Sequence, residues 1–92
     1  MSDDYSRVLP IINEKGLHAR ASAKFVQCVD RFEAEVCVLK DGQSVSGTSI
    51  MGLMMLAAGK GTTVHLLTAG EDAQAALDAL IELINNRFDE GE

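Results

Sequence analysis

The chain has no tryptophan, one tyrosine and three phenylalanines in 92 residues, so few flat side chains are present to stack on bases. It is also short of cations, with 8 Lys and Arg against 14 Asp and Glu and a formal net charge of -6. Nucleic-acid affinity rests largely on neutralised phosphates, so this composition argues against a nucleic-acid partner. The two cysteines, Cys28 and Cys37, make no metal-ligand spacing and read as unpaired packing residues of a reducing compartment. No apolar run approaches the roughly 20 residues needed to cross a bilayer. Met1-Ser2-Asp3-Asp4 is acidic where a secretory signal would be basic and then apolar. The expectation is a cytoplasmic, monomeric protein with no metal, no cofactor and no membrane insertion, whose partners are other proteins.

What the chain does have is a 47% hydrophobic content, enough for one compact domain over residues 1–92 with an ordered core of about 5–88. Ser6 to Ile12 reads as a strand, and Pro10, which cannot donate to a ladder, argues for an edge position. Asn13-Glu14-Lys15-Gly16 is the turn that follows. From His18 to about Val29, Ala21, Phe25, Val26 and Val29 recur at helical spacing, leaving Lys24 and Gln27 outward. Ala34 to Leu39 is a strand with Val36 and Val38 on one face, Asp41-Gly42 a hairpin turn, and Gln43 to Ser46 a short third strand.

A short second helix runs from Ser49 to about Ala57 and is closed by Gly59-Lys60-Gly61. Thr62 to Thr68 is the fourth strand, with Val64 and Leu66 inward and His65 on the open face, where nothing nearby in sequence offers it a metal or a nucleophile. Gly70-Glu71-Asp72 opens the last helix with acidic residues in its first turn, and Ala73, Leu77, Leu80, Ile81, Ile84 and Phe88 form its apolar stripe, followed by an acidic, frayed tail. The order βαββαβα lacks parallel βαβ regularity. The fold class expected is α/β (α+β), an open-faced sandwich with three helices on one face of a four-stranded antiparallel sheet.

Gly16-Leu17-His18-Ala19-Arg20 places a histidine where the turn becomes the first helix. A helix start offers unpaired amides and the positive end of the dipole, so a phosphate on the His18 ring would meet donors from Ala19 and Arg20, and the Arg20 guanidinium could add to them. Lys15 and Lys24 raise the local basicity of an acidic chain. From these five residues alone, a histidine capping its own helix among solvated cations is the better explanation of the pattern.

That segment and Gly47-Thr48-Ser49-Ile50-Met51-Gly52-Leu53-Met54 together resemble the two signature segments of HPr, the histidine phosphocarrier family of the bacterial phosphotransferase systems. The resemblance covers nearly the whole chain, and Phe88-Asp89-Glu90 is similar to the ending of the nitrogen-related NPr branch. It implies that His18 accepts a phosphoryl group through Nδ1 from phosphoenolpyruvate-dependent enzyme I, with Arg20 stabilising the phosphate, and passes it to a IIA-type protein. Such a carrier turns over no free substrate. Histidine suits this chemistry, because a P–N bond is labile and an imidazole of ordinary pKa, about 6.5, attacks without a separate base. Family members usually carry proline after the arginine; Ala21 stands there, followed by Ser22, giving a looser helix start with one more amide donor.

Ser49 precedes an apolar helical run and by itself reads as an N-cap. The resemblance adds a regulatory phosphorylation by an ATP-dependent HPr serine kinase, with Thr48 as a neighbouring hydroxyl. Ile50, Leu53, Leu56 and Ala57 are expected to form the buried stripe of this helix, leaving Met51, Met54 and Met55 on or near the outer side. A methionine patch adapts to several partners, although a thin domain would also bury such residues. The partner-docking surface implied comprises Lys24, Ile50, Met51, Met54 and Met55. The alternative function is a regulatory interaction module, whose target binding follows phosphorylation of His18 or Ser49.

Overall fold

The computed structural model describes residues 4–89. Its elements are β1 (Tyr5–Pro10), α1 (Ala19–Val29), β2 (Glu35–Lys40), β3 (Gln43–Ser46), α2 (Ile50–Met55), β4 (Thr63–Ala69) and α3 (Ala73–Asn85), and a short 3-10 turn at Arg87–Asp89 follows. The strands form one antiparallel sheet in the order β1-β4-β2-β3. β1 lies at an edge, where Pro10 leaves no ladder bond unmade. Asp41 and Gly42 both take positive φ, 50 and 82, as required of a two-residue turn whose twist matches the hairpin of β2 and β3.

Alternation along the strands builds the inner layer: Leu9, Val36, Val38, Val64 and Leu66 are buried, while Glu35 and Thr63 are exposed. Against them α1 places Ala21, Phe25, Cys28 and Val29, and α3 places Ala76, Leu77, Leu80 and Ile84. Burying each large apolar side chain stabilises the fold by roughly 1.5–3 kcal/mol, which holds the three helices on one face of the sheet. Among the described residues no helix is long and apolar enough to cross a membrane.

Several local expectations need correction. Ile50 is 40% exposed, because it opens a helix of only six residues and helical side chains lean back toward the N-terminus, here over solvent. At the other end Ala57 turns left-handed, with φ 52, so it points outward and Ala58 takes the buried place. The first turn of α3 holds no acid. Asp72 instead joins two loops, its Oδ2 accepting from the Glu33 amide at 2.8 Å and its own amide donating to the Glu33 carbonyl at 3.0 Å.

Phe88 is fully buried but is not on the α3 stripe. α3 ends at Asn85, and Arg87, Phe88 and Asp89 take φ of 54, 54 and 61. That left-handed run costs on the order of 1–2 kcal/mol per residue and is offset by burial of the ring. Lys24 is not outward: its Nζ donates to the Phe88 carbonyl at 2.6 Å, an acceptor that the left-handed turn presents to α1. The acidic tail at 90–92, including Glu90 of the NPr-like ending, lies outside the described residues.

Candidate functional site

The site is assembled by a turn, a helix start and a loop from the far side of the chain. Gly16 has φ 63, and a Cβ there would stand 2.3 Å from the Ala58 carbonyl oxygen. Only glycine admits that approach. The closeness lets the Leu17 amide donate to the same oxygen at 2.9 Å while Leu17 itself is buried. Lys60 and Glu14 span the two loops with an ion pair of 3.0 Å; at 59% and 64% side-chain exposure it contributes little.

His18 follows as the residue flanking α1, in extended backbone with φ -76 and ψ -177. Its carbonyl accepts the first helical bond, from the Ser22 amide at 2.9 Å, and its side chain makes no capping hydrogen bond. The capping reading of His18 is therefore not how this helix starts. The first turn of α1 carries no acidic residue, so nothing there opposes an anion at the positive end of the dipole. His18 is half-buried, and Ala19 and Arg20 are exposed beside it.

Two buried polar side chains missed at the sequence level close around this turn. Asn13 Nδ2 donates to the Gly16 carbonyl at 2.8 Å, and Ser22 Oγ donates to the Leu17 carbonyl at 3.2 Å. The pattern offered only a turn asparagine and a serine after Ala21, with nothing to say that either would be wholly enclosed.

α2 packs beside α1. Ser49 caps it, its Oγ accepting from the Gly52 amide at 2.9 Å. The missing side chain of Gly52 allows this, since a Cβ there would lie 2.9 Å from the Ser49 oxygen. Thr48 sits just before, its hydroxyl 2.8 Å from that of Ser46. Met51 and Met55 are 69% and 74% exposed, and Ile50 and Met54 are 40% exposed, so the four form one outward apolar surface. Lys24 is on α1 but tied to the Phe88 carbonyl, away from this group.

The remaining candidates are separate. His65 stands on the open sheet face, paired across the ladders with Val8 and Leu39. Cys28 is a buried free cysteine, and burial pushes its thiol pKa up while Arg31 pulls it partly back. Cys37 lies on the sheet with its Sγ 2.8 Å from Ser44 Oγ. Among the described residues no group of three or more His, Cys, Asp and Glu is arranged to hold a metal.

With a histidine at a helix start and a capped, apolar short helix beside that helix, the chain can be compared with known proteins. A family model for the PTS HPr component phosphorylation site matches residues 5–86. The chain belongs to the HPr family. It is 60% identical over 85 residues to the phosphocarrier protein HPr of Pseudomonas aeruginosa, covering 91% of this chain and 94% of that one. It is 43% identical over 84 residues to the phosphocarrier protein NPr of Shewanella violacea, covering 91% and 92%. In three dimensions it matches HPr from Thermoanaerobacter tengcongensis with a TM-score of 0.90 at 40% identity, covering 94% and 97% of the two chains. The open-faced sandwich with its antiparallel sheet is thus the HPr fold, and the role that goes with the family is that of a phosphotransferase-system phosphocarrier rather than an enzyme with a free substrate.

Proposed function

We propose that this chain accepts a phosphoryl group on the His18 ring from phosphoenolpyruvate-dependent enzyme I and delivers it to a IIA-type protein. The observation that carries the reading is the half-buried His18 at the start of α1, where no acid occupies the first turn. In each step one P–N bond breaks on the donor histidine and one forms on the acceptor, where both partners carry the group on histidine. Bond types are then conserved, and transfer runs at nearly equal free energy in either direction. The amides of Ala19 and Arg20 and the Arg20 guanidinium stabilise the phosphate on His18. The exposed Ile50, Met51, Met54 and Met55 form the docking surface, whose flexible thioethers fit both donor and acceptor. Lys24 joins that surface only if it leaves the Phe88 carbonyl.

The cycle is assigned to the cytoplasm and needs one copy of the chain at a time, although a T. tengcongensis HPr has been solved as a dimer. Sugar uptake and a nitrogen-type regulatory branch both use such a cycle. A second, compatible role as a regulatory module is favoured by Ser49, whose oxygen caps α2 at the edge of the apolar surface. Phosphorylation there by a serine kinase would bring up to two negative charges to the docking face while favouring its own helix.

Incubation with a matched enzyme I and labelled phosphoenolpyruvate tests the central claim. Acid-labile, alkali-stable label is expected on the parent and on His65→Ala, and none on His18→Ala, with the fold unchanged. Label retained by His18→Ala would overturn the assignment. Arg20→Ala is expected to slow labelling without preventing it.

A further inference from the structure

The two peptide groups leading into His18 are each gripped by a side chain with no exposed surface. Asn13, 0% exposed, donates from Nδ2 to the Gly16 carbonyl at 2.8 Å. The N–H of that same peptide belongs to Leu17 and donates to the Ala58 carbonyl at 2.9 Å, so the plane is held at both ends. Ser22, also 0% exposed, donates from Oγ to the Leu17 carbonyl at 3.2 Å and from its amide to the His18 carbonyl at 2.9 Å. One residue therefore binds the carbonyls on both sides of the His18 Cα.

A trans peptide is planar and stiff. Fixing the planes on either side of His18 fixes its φ and ψ, and with them the direction of its Cα–Cβ bond. Thr68, the third buried polar residue, gives the contrast: its Oγ1 donates to the Ala73 carbonyl at 2.9 Å and ties β4 to the start of α3. Asn13 and Ser22 instead converge on the three residues 16–18.

We propose that Asn13 and Ser22 are positioning residues for phosphoryl transfer. They hold the backbone of residues 16–18 so that the imidazole and the first amides of α1 address one point. The inference rests on His18 being the phosphoryl acceptor. Neither side chain reaches the surface, so both act on the rate of transfer and not on the affinity for a partner. A pre-set ring orientation lowers the barrier by removing motions that would otherwise have to be frozen in the transition state.

The test is the steady-state rate of phosphoryl transfer from phosphorylated enzyme I to Ser22→Ala, Ser22→Cys, Asn13→Ala and Thr68→Ala, each with its Tm. Ser22→Ala and Asn13→Ala are expected to lower kcat about three- to ten-fold each, the loss of one hydrogen bond's worth of orientation, with KM unchanged within about two-fold. Ser22→Cys keeps the volume and a weak donor and is expected to fall between Ser22→Ala and the parent. Thr68→Ala is expected to lower Tm while leaving kcat as in the parent. Unchanged kcat in Ser22→Ala, or an equal fall in Thr68→Ala, would overturn the inference and leave His18 as acceptor intact. A parent that takes no label from enzyme I would overturn the acceptor reading and this inference with it.

Discussion

The turn before His18 leads into α1, the helix after Ser49 packs beside α1, and the two are built in opposite ways. Between Asn13 and Ser22 the chain is pinned by buried side-chain bonds, by a glycine that admits contact with Ala58, and by the amide of Leu17 on that same carbonyl. α2 has one cap, six residues, Leu53 buried, and large apolar side chains facing out. On the function proposed above, the difference separates two requirements of a carrier. Bond transfer needs one geometry held to a fraction of an ångström, whereas docking to unlike partners needs a surface that reshapes without reorganising the backbone.

Breaking the rigid half should have the largest effect. Gly16→Ala forces a left-handed alanine against a carbonyl oxygen at 2.3 Å, and a stability loss of about 3 kcal/mol is expected from the two penalties together. Urea titration measures it; a loss under about 1 kcal/mol would show that the residue 58 loop yields and that the turn is not rigid. Breaking the adaptable half should leave stability alone. Met51→Ser with Met55→Ser is expected to weaken binding to enzyme I by roughly 10- to 100-fold and to change unfolding free energy by no more than about 0.5 kcal/mol. Unaltered affinity in a calorimetric titration would remove these residues from the docking surface.

Ser49 opens the adaptable half. Ser49→Asp keeps a capping oxygen and adds one charge, so the fold is expected to persist while affinity for enzyme I falls about three- to ten-fold. Equal titrations for parent, Ser49→Asp and Ser49→Ala would make Ser49 a cap and nothing more. The smallest effect is expected at Ala57, a left-handed residue exposed to solvent. Ala57→Gly relieves that strain but loosens the unfolded chain, for a net gain of about 0.5 kcal/mol. A decrease on thermal unfolding would show that the alanine methyl packs in a way its exposure conceals.

What could be read from the sequence were the features with local causes. Asp41-Gly42 names its own turn, Pro10 its edge strand, and Ser49 its helix start, because each acts through a backbone preference of a few residues. His18 at a helix start, with Ala19 and Arg20 beside it, was legible for the same reason. Ile50 and Ala57 were misplaced by the short span of α2, whereas other misses depend on distant partners. Nothing in the neighbourhood of Lys24 announces a carbonyl 64 residues away, and nothing around Asp72 foretells the Glu33 amide. The spacing of Ile81, Ile84 and Phe88 promised a continuous stripe, and the ring does reach the core, but by a left-handed turn that periodicity has no means to encode. Asn13 and Ser22 stayed hidden because enclosure belongs to the packed molecule and not to the residue type.

The bond between Lys24 and Phe88 bears on when α1 acquires its last contact during synthesis. Phe88 follows every strand in the order of translation, so a growing chain has made His18 and all of α1 well before the residue whose carbonyl holds Lys24. An incomplete chain therefore carries α1 without that tie, and the contact forms only once synthesis has passed residue 88.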